Sequence, residues 1–153
     1  MDLIYVGTKN GLNSAQFHKN CDAKGPTLNV IKTDTGATFG FYTEIPWYKS
    51  GNHHHQKGYA FLFKVEDYGI VHFPMSKATQ LVKIYYSHVD LIATTDGVVY
   101  KLRLRDDNES NMAVIDEDQF VVPKDLDIDP RTYLAGAYNF KFTEIEVFKV
   151  ISV

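Results

Sequence analysis

The sequence predicts a mainly β protein, two antiparallel sheets packed as a sandwich with a few short helices. Three observations carry that expectation. Aromatic residues are abundant, ten Phe, ten Tyr and one Trp in 153 residues, and such side chains suit a half-buried pleated surface. Apolar runs are short and separated by Gly, Pro and Asp turn signals, enough for about eight to ten strands. Helical segments long enough to cross between parallel strands are missing, which sets the chain apart from the parallel α/β class.

Taken in order, Leu3 to Val6 forms a short strand closed by Gly7 and a Lys9-Asn10-Gly11 turn. Asn13 or Ser14 caps a helix that places Phe17 and Cys21 on one face at i, i+4. Gly25 and Pro26 end it. "TLNVIKT" and "ATFGFYT" flank Asp34-Thr35-Gly36 as a β-hairpin. "EIPWYKSGNHHHQKG" reads as a polar loop holding the only Trp. "YAFLFKV", Tyr59 to Val65, is apolar at successive positions and is expected to be buried on both faces.

Further strands are "QLVKIYYS", "VDLIATT" and, after an Asp96-Gly97 turn, "VVYKLRL". The acidic segment from Arg105 to Gln119 reads as a surface loop. The chain closes on an aromatic strand built from Phe140, Phe142, Ile145, Val147 and Phe148. No repeat and no composition shift divides it, so residues 1–153 form a single domain.

The bulk numbers exclude several function classes. A formal net charge of -3 lacks the basic face that nucleic-acid binding needs. One cysteine can form neither an internal disulfide nor a thiolate zinc site, which points to a reducing, cytoplasmic setting. No stretch reaches the ~20 apolar residues of a membrane span, so no direct membrane insertion is expected. The N-terminus has no basic segment followed by an apolar run, unlike a secretory leader.

The candidate chemistry is sparse. His53, His54 and His55 form the most metal-like feature, yet neighbouring residues diverge and zinc ligands are normally spaced; a solvated loop without metal is the expectation. Asp125, Asp127 and Asp129 begin like a calcium loop but meet Pro130 and Gly136 where Gly and Glu belong. Cys21 is the one thiol, with His18 as its only activator. It sits near a helix C-terminus beside Asp22, and both features disfavour a thiolate. His88 and Asp90 share a strand face without a nucleophile to serve. No G-x-S-x-G elbow or phosphate-binding glycine loop appears. No cofactor is expected.

The order of motifs resembles a TLDc domain, the module of the oxidation-resistance and nuclear-receptor-coactivator proteins. The stretch from Leu3 to Thr43, with "FHKNCDAKGPTLNVI" and "FGFYT", then Trp47, "YAFLF", "HVDLIA" and "LAGAYNFKFTEIEVFKV" follow that pattern over nearly the whole chain. Residue by residue the resemblance picks out Phe17, Asp22, Lys24, Gly25, Pro26, Thr27, Gly40, Asp90, Gly136, Glu144 and Glu146 as structural motif positions. It also implies a two-sheet β-sandwich and no accepted catalytic mechanism.

By the same resemblance the function is protein interaction on a large assembly, with the V-ATPase first and protection against oxidative stress as the cellular outcome. Trp47 and Tyr48 are the candidate partner-binding residues. Two alternatives stand beside this reading. One is a structural subunit of another assembly, such as a cytoskeletal complex; the other is an antioxidant enzyme using Cys21 and His18. Such domains usually carry more chain before the first strand, so a partner covering an exposed sheet edge is expected.

Overall fold

The computed structural model describes residues 1–48, 53–77, 81–85, 89–95 and 100–151; at 53–56, 81–83 and 85 the description is of the backbone alone. Eleven strands and two helices lie among them. In order they are β1 (Asp2–Val6), α1 (Gly7–Asn10), α2 (Ser14–Cys21), β2 (Thr27–Thr33), β3 (Thr38–Thr43), β4 (His53–Lys57), β5 (Ala60–Glu66), β6 (Gly69–Pro74), β7 (Leu81–Tyr85), β8 (Asp90–Thr95), β9 (Tyr100–Arg105), β10 (Met112–Ala113) and β11 (Phe142–Lys149).

These strands form two antiparallel sheets. The larger has the order β1-β11-β2-β3-β5-β6, and the smaller β10-β9-β8-β7-β4. The terminal strand β11 therefore inserts between β1 and β2, so both ends of the chain close the same sheet. The inner faces carry the core: Ile31, Phe39, Phe41, Phe73 and Ile145 from the larger sheet, Ile84, Ile92, Leu102 and Leu104 from the smaller. The expected sandwich is what the chain builds.

Local chemistry explains the elements. Asn13 caps α2, its side-chain oxygen accepting from the Gln16 N–H at 2.9 Å. Thr33 and Ala37 close the β2–β3 hairpin through a 3.0 Å backbone bond. Downstream, the Lys64 ammonium is buried on the inner face of β5, where it donates to the Tyr133 and Leu134 carbonyls at 2.8 and 2.9 Å. That contact pins the segment before Gly136 onto the sheet.

Several expectations need correction. The Lys9-Asn10-Gly11 turn belongs to one turn of helix, α1, because the Gly11 N–H reaches the Gly7 carbonyl at 2.8 Å. Helix α2 stops at Cys21, ahead of Gly25: Asp22 turns extended and bridges Trp47, and Ala23 takes a φ of 57°. Gly25, at φ 75°, shapes the approach to β2 instead, in a region costly for other residues. The polar loop after Trp47 contains a strand: His53, His54 and His55 lie in β4, paired in register with Tyr85, Ile84 and Lys83.

The acidic segment is also more ordered than a surface loop. It holds β10 against β9, and Asn111 and Asp116 within it are buried. The Asn111 amide donates to the Asn108 side chain and the Phe140 carbonyl, tying the segment to the lead-in of β11. Phe140 precedes β11 and lies in the core beside Phe39. The Asp96-Gly97 turn and His88 fall outside the described residues.

Candidate functional site

The motif cluster around α2 was the first candidate, and its geometry is that of packing. Cys21 is fully buried, and so is Phe17, whose ring meets Tyr5 edge-on at 5.4 Å and Trp47 at 6.2 Å. Burial pushes the Cys21 thiol well above its ordinary range and the nearby Asp22 carboxylate pushes it further, against a smaller opposing pull from Lys24. A thiolate nucleophile needs the opposite environment.

His18 has no nitrogen to spare for that thiol. Its Nδ1 meets the Asp22 carboxylate at 2.6 Å and its Nε2 meets the Asp90 carbonyl oxygen at 2.7 Å. The ring is 4% exposed and clamps α2 to β8. Asp90, buried in turn, accepts from Arg103 Nε at 2.9 Å, and the Arg103 guanidinium lies 4.0 Å from the Tyr100 ring centre. The sequence motif is thus a joint between the helix and the smaller sheet.

Trp47 belongs to the same joint, against the expectation that it presents its ring to a partner. It is 1% exposed, and its Nε1 donates to Thr27 Oγ1 at 3.1 Å and Asn29 Oδ1 at 3.2 Å. The β2 residues Thr27 and Asn29 point inward because β2 alternates, and a buried indole N–H needs such an acceptor. Tyr48, the next residue, is 40% exposed.

The remaining motif residues divide by role. Glu144 holds α1: its carboxylate accepts from the Thr8 hydroxyl and from the Thr8 N–H at 3.0 Å. Desolvation alone would raise its pKa, but the hydrogen bonds from Thr8, Ile145 and Gly7 outweigh it and hold the group below the usual carboxylate range. Gly136 takes φ 85° where an added Cβ would lie 2.5 Å from Thr35 Oγ1. Pro26 accepts at its carbonyl from the Val150 N–H at 2.9 Å, and Lys24 is exposed. Among the described residues no group of three or more His, Cys, Asp or Glu could hold a metal ion.

A surface that sequence reading did not isolate lies on the outer face of the larger sheet. The register aligns Leu3, Phe148, Leu28, Tyr42, Phe61 and Pro74 as one row across all six strands. A second row runs through Glu146, Val30, Gly40, Phe63 and His72. The rings engage one another: Tyr42 stacks on Phe61 at 5.0 Å, and Phe61 meets His72 edge-on at 4.7 Å.

Gly40 gives that face its relief. A Cβ there would sit 2.1 Å from the Phe63 ring and 2.4 Å from the Asn29 carbonyl oxygen, so the Phe63 ring fills the space that a side chain would take. Beside it a hollow of about 210 Å³ is lined by Leu28, Phe61, Phe63, Ile70 and His72. Ile70 is 67% and Val65 41% exposed at its margin. The signal was present in "YAFLFKV": apolar residues at both parities mean either burial on two faces or an apolar outer face, and here Phe61 stays half-exposed.

The order of motif residues along this sandwich decides the family: the TLDc domain model matches residues 1–151. The chain belongs to the TLDc domain family. A comparison with curated proteins finds no match. In this TLDc domain the motif positions mostly serve the interior joints, whereas the apolar outer face and its hollow are on the surface. No helix among the described residues is long and apolar enough to cross a membrane.

Proposed function

We infer that this TLDc domain is a non-catalytic interaction module that docks on a large protein assembly, and that the V-ATPase is the partner, as the family resemblance implies. The observation that carries the reading is the apolar outer face: a row of side chains continuous over six strands, half-exposed and centred on Tyr42 and Phe61. The largest contiguous apolar patch on a monomer is often its functional surface, and aromatic residues are enriched at interfaces. Tyr48 is exposed on a different stretch and adds a candidate contact.

The thiol-enzyme alternative has weaker support. Its nucleophile is buried with a raised pKa, and both nitrogens of its only activator are engaged.

Capture from native lysate on the immobilised domain tests the proposal, with Ile70→Glu as the surface control. Wild type is expected to retain V-ATPase subunits and Ile70→Glu to lose most of them at unchanged thermal stability. Recovery of no pump subunit, or equal recovery by both proteins, overturns it.

A further inference from the structure

We propose that the outer-face groove over β3, β5 and β6 receives an amphipathic helix of a protein partner, apolar on one side and flanked by lysine or arginine. This rests on the docking function proposed above and specifies the occupant of that face. Shape, charge and area of the face select this occupant.

Shape comes first. Three neighbouring strands spaced about 4.8 Å apart present a strip about 10 Å wide, and six residues of β5 run for about 20 Å. A helix is about 10–12 Å across, and about 13 residues span that length. Along the strip Phe61, Phe63 and Val65 form the central column, with Tyr42 and Gly40 on one side and His72 and Ile70 on the other. The hollow beside Phe63 gives a helix's apolar ridge somewhere to sit, the helix-in-groove mode of recognition.

Charge selects the occupant. No Asp, Glu, Lys or Arg points outward from β3, β5 or β6 within this strip. Carboxylates bracket it instead. Glu44 follows β3 at one end, close enough to Tyr42 to raise its phenol pKa after desolvation has done so. Asp67 occupies the β5–β6 turn at the other end, and Glu146 begins the second row on β11, two strands from the strip. Against these carboxylates, Lys32 on β2 is exposed on the same face one strand outside the strip, beside Thr38, while Lys57 ends β4 in the smaller sheet. An occupant with basic flanks gains from this rim, and an acidic one is repelled.

Area decides against a second copy of this chain. The strip projects to roughly 200 Å², whereas stable protein–protein interfaces bury about 800 Å² on each partner. A helix supplied by a larger assembly needs no more than the strip, since further contacts elsewhere hold the assembly.

The test uses fluorescence anisotropy with two labelled 14-residue helical peptides, one of Leu and Lys, the other of Leu and Glu. The Leu/Lys peptide is expected to bind weakly, with a Kd of about 0.1–1 mM, and the Leu/Glu peptide at least tenfold more weakly. Ile70→Ser should weaken the former at least fivefold. Glu44→Gln with Asp67→Asn should narrow the gap between peptides and flatten the salt dependence. Matching melting curves keep these readouts free of folding effects.

Equal binding of both peptides, no binding, or variants without effect overturns the proposal, as does sedimentation as a dimer that Ile70→Ser disrupts. If the peptides fail while Ile70→Glu still abolishes pump capture, the docking function stands and the helical occupant is wrong. If the Leu/Lys peptide binds as described and no pump subunit is captured, the error lies in the partner assigned.

Discussion

Gly40 shows how much one missing side chain can hold together. Its neighbour across the β3–β5 ladder is Phe63, and the ring occupies the space a Cβ would take. Gly40→Ala is therefore an overpacking change, with an expected cost of about 1–3 kcal/mol and a melting point lower by several degrees. The ring is one of two obstacles, the other being the Asn29 carbonyl oxygen at 2.4 Å, so adding Phe63→Ala should relieve part of that cost and fall short of the sum of the two single changes. Strict additivity in thermal denaturation would show that the ring does not rest on Gly40. In sequence, "FGFYT" marks only that a glycine interrupts a strand. Which ring covers it depends on pairing with a strand 23 positions later, from Gly40 to Phe63, and periodicity alone does not set that register.

At the scale of elements, the legible and illegible parts separate by the range of their causes. The helix cap at Asn13, the β2–β3 hairpin and the alternation of β2 are local, and each is readable from neighbours in the chain. The end of α2 is not: its stop depends on Asp22 meeting Trp47, a contact that "KGP" does not announce. Short α1 is the clearest case of a tertiary cause. It has no side-chain cap of its own, and a one-turn helix is unstable in isolation. Glu144 from β11, distant in sequence, supplies acceptors for the Thr8 hydroxyl and N–H.

That staple has a pH consequence. The folded pKa of Glu144 is depressed, so its stabilising contribution is complete above the unfolded carboxylate value of about 4.3. It fades as pH falls through the lower folded value. Glu144→Gln should thus be less stable than wild type at pH 7, with the gap closing as pH falls from about 5 towards 3. A gap in melting temperature that stays constant over that range would remove Glu144 from the acid response.

Over the whole molecule, α2 and Trp47 add a joint at one side of the face-to-face packing of the two sheets. The helix packs on β1 of the larger sheet and β8 of the smaller, with His18 bonded to the Asp90 carbonyl. Trp47 lies against Phe17 of that helix and Phe41 of β3 while its N–H is held by β2. One indole thus reports on helix and sheet together, and it is the only Trp in the chain. Unfolding followed by its fluorescence should coincide with the loss of β signal in far-ultraviolet circular dichroism, as a single cooperative unit requires. Trp47→Ala empties the centre of the joint and orphans the Asn29 Oδ1 acceptor, while Thr27 Oγ1 still receives the Asn29 amide, at an expected cost of about 3–5 kcal/mol. A surface role predicts the reverse: Trp47→Ala would keep its melting temperature and lose only partner capture. Separated fluorescence and dichroism transitions would divide the sandwich into two units and leave α2 as a passenger on one of them.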